Sequence, residues 1–156
     1  MKVLMIGPDR SVHGGVSAVV NNLYAAGLDK KLKLKYIGTM VDGSKLRKLF
    51  QAAWAYLVFL TKIPFADILH VNMASDASYY RKKVFIDTAS VLKKSIVIHE
   101  HGGDFKDFYY RRSDEKRRAS IRKTLNKTKK FIVLSEEWYE FFSPIVDKEK
   151  LLVLEN

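Results

Sequence analysis

The sequence Ile96-Val97-Ile98-His99-Glu100-His101-Gly102-Gly103-Asp104-Phe105 joins an uninterrupted apolar run to a group of polar residues and glycines. A short apolar run with such a boundary is typical of a strand buried on both faces, as in parallel sheets. In open α/β sheets, ligands bind beyond the carboxyl ends of the strands. Glycines there let a substrate approach the main chain closely. The stretch therefore predicts a strand that ends at a ligand site; the alternative is a loop with two chance histidines.

Five other apolar segments predict strands along the chain. They are Lys2–Ile6, Leu32–Ile37, Asp67–Asn72, Phe131–Leu134 and Leu151–Leu154. The segments between them show helical periodicity, so strands and helices alternate, which favours a parallel sheet. We expect an α/β fold: a Rossmann-like parallel sheet of about six strands with helices on both faces, formed by residues 1–156 as a single domain.

Two of the predicted helices have strong apolar patterns. The helix at about Ser44–Lys62 has one apolar row: Leu46, Leu49, Ala53, Leu57 and Leu60. This row is widened by Phe50, Trp54, Tyr56, Val58 and Phe59. We expect most of that apolar face to be buried, because a parallel sheet is covered on both sides. The helix after the third strand shows two adjacent rows, Tyr80, Val84, Thr88 and Val91, and Phe85, Ala89 and Leu92.

The composition limits the classes of function. The chain has 28 Lys and Arg against 17 Asp and Glu, a net charge of +11 that implies an anionic partner: nucleic acid, a phosphorylated substrate or a membrane surface. There is no cysteine, which excludes disulfides, thiolate metal sites and a cysteine nucleophile. The first strand begins without the apolar core of a signal peptide, and no segment has the length of a bilayer span. We therefore expect a cytoplasmic protein.

Gly14-Gly15 follows the first strand and precedes a helix. Free amides and the helix dipole suit an anion at such a position, although a structural turn explains the glycines equally well. The loop has neither the G-x-G-x-x-G pattern nor the Lys-Ser/Thr of a P-loop, which disfavours a nicotinamide cofactor and nucleoside-triphosphatase activity. Arg81 and Lys82 lie near the start of a later helix, where cations oppose the helix dipole and an anion would relieve the conflict. A solvated basic face is the alternative there.

Taken together, these motifs resemble the amino-terminal half of a GT-B-fold glycosyltransferase of the retaining family numbered four. The resemblance covers essentially the whole chain and rests on the order and spacing of its motifs. These are Gly14-Gly15-Val16, Asp67–Asn72, Ser78–Lys82, His99–Phe105, Phe131–Ser135 and Val153–Asn156. The chain departs from the family at Asn72, where a histidine is common, and at Asp76, where a basic residue is common.

The resemblance implies roles for the quoted residues. His101 is expected to be the catalytic residue, facing the cleft between two Rossmann-like halves. Substrate and phosphate binding are expected at Gly14, Gly15, His70, Asn72, Arg81, Lys82, Gly102, Gly103 and Asp104. Independently of the resemblance, we expect His99 to be a core residue with its hydrogen bonds satisfied. A carboxy-terminal donor-binding domain, absent from this sequence, is expected to hold most of a nucleotide-diphosphate sugar.

The expected function is transfer of a sugar from that donor to a glycan or lipid-linked acceptor, in the synthesis of cell-surface polysaccharide. The complete protein would then be a hexosyltransferase-type enzyme, and this half alone inactive. No permanently bound cofactor and no metal are expected, although His70, His99 and His101 are in principle metal ligands. No pair of carboxylates resembles a glycosidase dyad.

Two alternatives remain open at the level of sequence. One is a basic nucleic-acid-binding module that uses Lys106–Lys130, a segment with eleven basic and three acidic residues but no recognised nucleic-acid motif. The other is a complete single-domain nucleotide-binding protein. We expect no nucleic-acid partner. We expect instead that the basic segment, with Lys45, Arg47 and Lys48, attaches the protein peripherally to the anionic inner face of the cell membrane.

Overall fold

The computed structural model describes residues 1–155 and shows one six-stranded sheet in which all the strands are parallel. The strands are β1 (Lys2–Gly7), β2 (Lys33–Gly38), β3 (Ile68–Met73), β4 (Ser95–Glu100), β5 (Lys130–Val133) and β6 (Leu151–Val153). Their order across the sheet is β2-β1-β3-β4-β5-β6. The predicted fold class is therefore confirmed. Asn156, the last residue of the quoted motifs, lies outside the described residues.

Seven helices connect the strands in the described part of the chain. They are α1 (Gly15–Ala25), α2 (Leu28–Lys31), α3 (Lys45–Lys62), α4 (Ala77–Val91), α5 (Phe105–Tyr110), α6 (Glu115–Leu125) and α7 (Glu136–Phe142), with single 3-10 turns at Ile63–Phe65 and Lys148–Lys150. The short helix α2 and the division of the basic segment into α5 and α6 were not predicted from the sequence. None of the described helices combines the length and the apolar character that a membrane crossing requires.

The strand order separates the helices into two layers. Parallel connections are right-handed. The β1–β2 connection runs in the opposite direction to the others, so its helices α1 and α2 lie on one face and α3 to α7 on the other. The other face carries the main core, which includes Leu4, Ile6, Leu69, Val71 and Ile98 under α3 to α7. The α1 face is only partly covered beyond β3, since Leu152 on β6 is 51% exposed.

The expectation for α3 was wrong. Its inward face consists of Ala55 and Phe59, with Ile63 just beyond the helix end. The predicted apolar row points away from the sheet. Its leucines and two of the residues that widen it are 40–74% exposed: Leu46, Leu49, Phe50, Trp54, Leu57 and Leu60. The helix is thus apolar on two opposite faces, and only one of them is used by this fold.

Candidate functional site

The candidate site lies where β1, β3 and β4 end side by side. The strand that follows β1 in the chain, β2, lies on one side of β1, and the next strand, β3, lies on its other side. The direction of the connections therefore reverses between β1 and β3, which makes this boundary the switch point of the sheet. Loops diverge there, and ligands of open α/β sheets bind in the resulting crevice. Residues 8–14 follow β1, residues 74–76 follow β3 and residues 101–104 follow β4. Because the three strands are parallel, their carboxyl ends and these loops lie on the same edge of the sheet.

Three histidines and an asparagine form a cluster on the α1 face of this edge. Asn72 pairs with His99 in the β3–β4 register, and His70 is one pleat earlier on the same face. The ring centroids of His70 and His99 are 5.9 Å apart, and those of His99 and His101 are 4.2 Å apart. The sheet thus brings together three of the predicted site residues, His70, Asn72 and His101, around His99.

Asn72 fixes the orientation of His101. The Asn72 Nδ2 amide donates to the backbone oxygen of Ile6 at 3.2 Å, which leaves Oδ1 as the acceptor. Nε2 of His101 lies 3.0 Å from that oxygen, so Nε2 carries the proton. Nδ1 of His101 is then a free acceptor, and it has no hydrogen-bond partner among the described residues. The asparagine that departs from the family pattern is therefore the residue that sets the histidine tautomer.

Burial keeps all three imidazoles neutral. It lowers the pKa of His70 to about 3 and that of His99 to about 4. Burial also lowers the pKa of His101 to about 3, with smaller contributions from His99 and His70. His99 is only 1% exposed, as expected of a core residue, but neither of its ring nitrogens has a partner within residues 1–155. The expectation of a satisfied His99 was therefore wrong. The cluster contains unpaired neutral nitrogens, which suit hydroxyl and amide groups, but these nitrogens are buried.

The cluster does not have the geometry of a metal site. No group of three or more His, Asp or Glu side chains within residues 1–155 is arranged to hold a metal ion. The rings instead stack along the strand face, tilted by about 31° and 32° to their neighbours.

The predicted glycines border open space. Gly14 has φ 155°, Gly15 begins α1, and a Cβ added at either position would meet no atom within 4 Å. Gly102 and Gly103 are left-handed, with φ 71° and 75°, a conformation that favours glycine. Gly103 also faces open space, whereas Gly102 lies against the ring of Trp138. Gly14, Gly15 and Gly103 therefore leave the backbone at the edge of the sheet accessible to a ligand, whereas Gly102 is buried.

Arg81 and Lys82 do not join the histidine cluster. Lys82 projects from α4 into the opposite layer and is 1% exposed, with Nζ 2.6 Å from Oγ1 of Thr39. Burial lowers its pKa to about 7, and the neighbouring Arg81 adds to that shift. Arg81 is partly buried, and its Nε has no partner within the described residues. A role in phosphate binding stays a prediction for both, and Lys82 requires a local rearrangement to reach a ligand.

The acidic residues at this edge have separate roles. The Asp104 side chain is 80% exposed, and its ion pair with Arg112 is long, at 3.9 Å. The carboxylate therefore remains available to a ligand. Asp76, the second departure from the family pattern, has φ 54° and an ion pair with Arg112 at 2.9 Å. Strained residues of this kind are common at functional sites.

Glu100, the last residue of β4, was not among the site residues predicted from the sequence. The side chain is 1% exposed, and neither carboxyl oxygen has a hydrogen bond of good geometry among the described residues. Burial raises its pKa well above the usual range, and the nearby Gly102 amide offsets that shift in part. Side chains alternate between the two faces of β4, so a residue between His99 and His101 faces the main core. That alternation is the sequence signal from which the burial of Glu100 could have been predicted.

A search with protein-family models finds no match to this chain, and a search of curated proteins finds none either.

Proposed function

We propose that this chain is the amino-terminal, mainly acceptor-binding half of a glycosyltransferase. The observation that supports the proposal best is the edge formed by β1, β3 and β4. There a neutral His101, held by Asn72, lies on the same edge as the exposed backbone of Gly14 and Gly15. The resemblance of the ordered motifs to retaining GT-B enzymes gives this edge its proposed chemistry.

The chemistry requires groups that bind hydroxyls and groups that stabilise a departing diphosphate. A neutral imidazole accepts a hydrogen bond from a sugar hydroxyl at Nδ1, and its fixed tautomer orients that bond. Because Nδ1 of His101 is buried in this structure, the proposal requires a local opening that exposes it. The amides at the start of α1, behind Gly14 and Gly15, are suited to the negative charge that develops on the leaving phosphates. His101 is therefore the proposed catalytic residue, and the glycines are the proposed diphosphate contacts.

The donor in this proposal is a nucleotide-diphosphate sugar, held mostly by a carboxy-terminal α/β half. The reaction requires no permanently bound cofactor and no metal. The acceptor is a glycan or a lipid-linked saccharide of cell-surface polysaccharide synthesis, and the enzyme works in the cytoplasm. Sequence beyond Asn156 that encodes a second α/β half separates this proposal from a complete single-domain nucleotide-binding protein.

The outward face of α3 supports a lipid-linked acceptor. Its exposed apolar row is flanked at the helix start by Lys45, Arg47 and Lys48, and the helix contains no acidic residue. An apolar row next to basic residues is typical of helices that lie in the interface of an anionic membrane. A second copy of the chain is a poorer partner, because pairing two such helices brings like charges together. The sequence predicts a contact through the basic segment together with Lys45, Arg47 and Lys48, and the exposed apolar row of α3 makes this helix the centre of the proposed membrane contact.

Nucleic acid is less favoured as a partner. Several of the basic side chains in 106–130 are already paired: Lys106 with Glu137, Arg112 with Asp76 and Asp107, Arg122 with Glu115 and Lys127 with Asp87. Fewer cations are thus free for a phosphate backbone than the sequence count indicates. Binding to single-stranded or duplex DNA that falls steeply with salt would favour the nucleic-acid alternative instead.

A transfer assay tests the function. The complete protein is incubated with a panel of nucleotide-diphosphate sugars and a bacterial membrane-lipid extract, and release of nucleoside diphosphate is measured. We expect release from one donor, dependent on the extract, and a loss of at least about 100-fold in His101→Ala, the size of effect that a transition-state contact gives. Lys116→Ala, an exposed change on α6, is the matched control. Unchanged turnover in His101→Ala would contradict the assignment.

Co-sedimentation with liposomes tests the membrane contact. We expect binding to vesicles with anionic lipid, and its loss in Phe50→Ser/Trp54→Ser. Val91→Ser is the control, because Val91 is 81% exposed but lies at the end of another helix. Equal binding to neutral and anionic vesicles, or none at low salt, would mean that the face serves another partner.

A further inference from the structure

A groove of about 540 Å³ opens at the amino-terminal edge of the sheet, opposite the histidine cluster. Its volume is in the range of small-molecule sites. The groove is lined by Lys2, Val3, Leu4, Lys33, Leu34, Lys35, Thr61, Lys62, Phe65 and Ala66. Four of these residues are lysines and five are apolar, and no carboxylate of residues 1–155 lines the groove.

The path of α3 creates this groove. Near its start, Gln51 donates to the backbone oxygen of Gly38 at the end of β2, so the helix begins over the edge strand. Its end leads into β3, which lies two strands away across β1. The helix therefore moves away from β2 toward the amino-terminal edge of the sheet. The first residues of β2, the edge strand, remain uncovered on that face.

The lysines converge on the uncovered strand. Lys2 pairs with Lys33 and Leu4 pairs with Lys35 in the β1–β2 register, so all four residues point to the α3 face. Lys62 closes the groove from the helix end. None of the four ammonium groups is in an ion pair within residues 1–155. The carboxylate of Asp67, the residue after Ala66, accepts a hydrogen bond from the backbone amide of Lys2 at 2.7 Å, but Asp67 is not among the residues that line the groove.

The apolar side of the groove is also unusual. Leu4 and Ala66 form a buried floor at 1% and 6% exposure, while the Phe65 ring at the rim is 73% exposed. Uncompensated cations around an apolar floor fit a ligand with an anionic head and a short apolar chain. Inward lysines on an edge strand also prevent strand pairing, but that role does not explain Lys62 or the exposed ring.

We propose that this groove is a second ligand site, which binds a phosphate monoester that carries an apolar chain. Lys33, Lys35 and Lys62 hold the phosphate, and Leu4, Phe65 and Ala66 contact the chain. The source is either a phospholipid headgroup region or a free amphiphile, because both present the same chemistry. The site is independent of the proposed transferase function, since it lies at the other edge of the sheet.

NMR titration of the isotopically labelled chain with hexyl phosphate tests the proposal. We expect amide shifts confined to residues 2–4, 33–35 and 61–66, and binding at least about tenfold tighter than that of inorganic phosphate or hexanol. Binding of the chain to vesicles with and without phosphatidic acid then distinguishes the two sources. Binding that requires phosphatidic acid indicates a phospholipid, and no binding to either kind of vesicle indicates a free amphiphile. Shifts spread over the basic surface of α6, or equal affinity for inorganic phosphate, would overturn it.

Charge-matched variants separate a site from general attraction. Lys33→Gln/Lys35→Gln/Lys62→Gln should weaken hexyl phosphate binding at least about tenfold. Lys116→Gln/Lys123→Gln/Lys129→Gln removes the same charge from exposed positions elsewhere and should leave binding unchanged. Thermal unfolding of both variants confirms that they are folded, and Phe65→Ser provides a second test that leaves every cation in place. Equal weakening by the two triple variants would contradict a built site.

Discussion

The Oδ1 atom of Asn72 lies 3.0 Å from Nε2 of His101, and the same asparagine is anchored through Nδ2 to the backbone of Ile6. One side chain thus connects β1, β3 and the loop after β4. Because its donor is used on β1, only its acceptor faces the histidine, and the tautomer of His101 follows from that arrangement.

The first prediction concerns that tautomer. Nitrogen-15 NMR of the imidazole should show His101 protonated at Nε2 and unprotonated at Nδ1. In Asn72→Leu the acceptor is lost, so a mixture of tautomers should appear while the fold is kept. A wild-type ring protonated at Nδ1 would contradict the arrangement, and so would an unchanged spectrum in the variant.

Acid should destabilise the fold through the histidine cluster. The folded pKa values of about 3 to 4 lie below the ordinary value of 6.5, so only the unfolded chain binds protons between these limits. The contribution of the cluster is complete above pH 6.5 and is lost as the pH falls toward 4. In His99→Phe, the free energy of unfolding measured by urea titration should fall less steeply over this range. The carboxylates contribute equally to the wild type and to His99→Phe. Parallel curves of unfolding free energy against pH for the two proteins would therefore contradict the prediction.

Lys82 should destabilise the fold at neutral pH. Its folded pKa of about 7 lies below the ordinary value of 10.5, so the free energy of unfolding should rise as the pH increases from 7 to 10.5. The shift sets an upper limit of roughly 5 kcal/mol on this effect. Lys82→Met should therefore be more stable than the wild type at pH 7 and lack that rise. Lys83→Met is the control, because Lys83 is ion-paired with Asp87 at the surface of the same helix; a similar gain there would refute the explanation.

Alanine should have different effects on stability at Gly7, the last residue of β1, and at Gly15, the first residue of α1. A Cβ at Gly7 would lie 2.3 Å from the hydroxyl of Tyr36, which is itself held by the backbone oxygen of Pro8. Gly7→Ala should therefore lower the midpoint of thermal unfolding, at a cost of about 1–3 kcal/mol. Gly15→Ala places its methyl group in open space at the start of α1 and should be neutral or slightly stabilising. Equal effects at the two positions would contradict the packing at the end of β1.

The sheet and its carboxyl edge could be predicted because apolar runs identify strands, and the β–α alternation makes them parallel. Alternation also places His99 and His101 on one side of β4. The orientation of the helices could not be predicted, since α3 has apolar residues on both faces and periodicity does not say which face meets the sheet. The same ambiguity affected α4, where Tyr79, Lys82 and Phe85 are buried while Tyr80 and Val84 are about half exposed. A buried lysine without a carboxylate partner has no signal in the sequence.

The central claim is that the edge around His101 binds saccharide and diphosphate groups. Titration of the labelled chain with pyrophosphate and with methyl glucoside, followed by amide NMR, tests it directly. The account predicts shifts at Gly14 and Gly15 with pyrophosphate, and at His101, Gly102 and Gly103 with the glucoside, with the glucoside shifts lost in His101→Ala. Shifts confined to the amino-terminal edge or to α6, or glucoside shifts unchanged in His101→Ala, would contradict it.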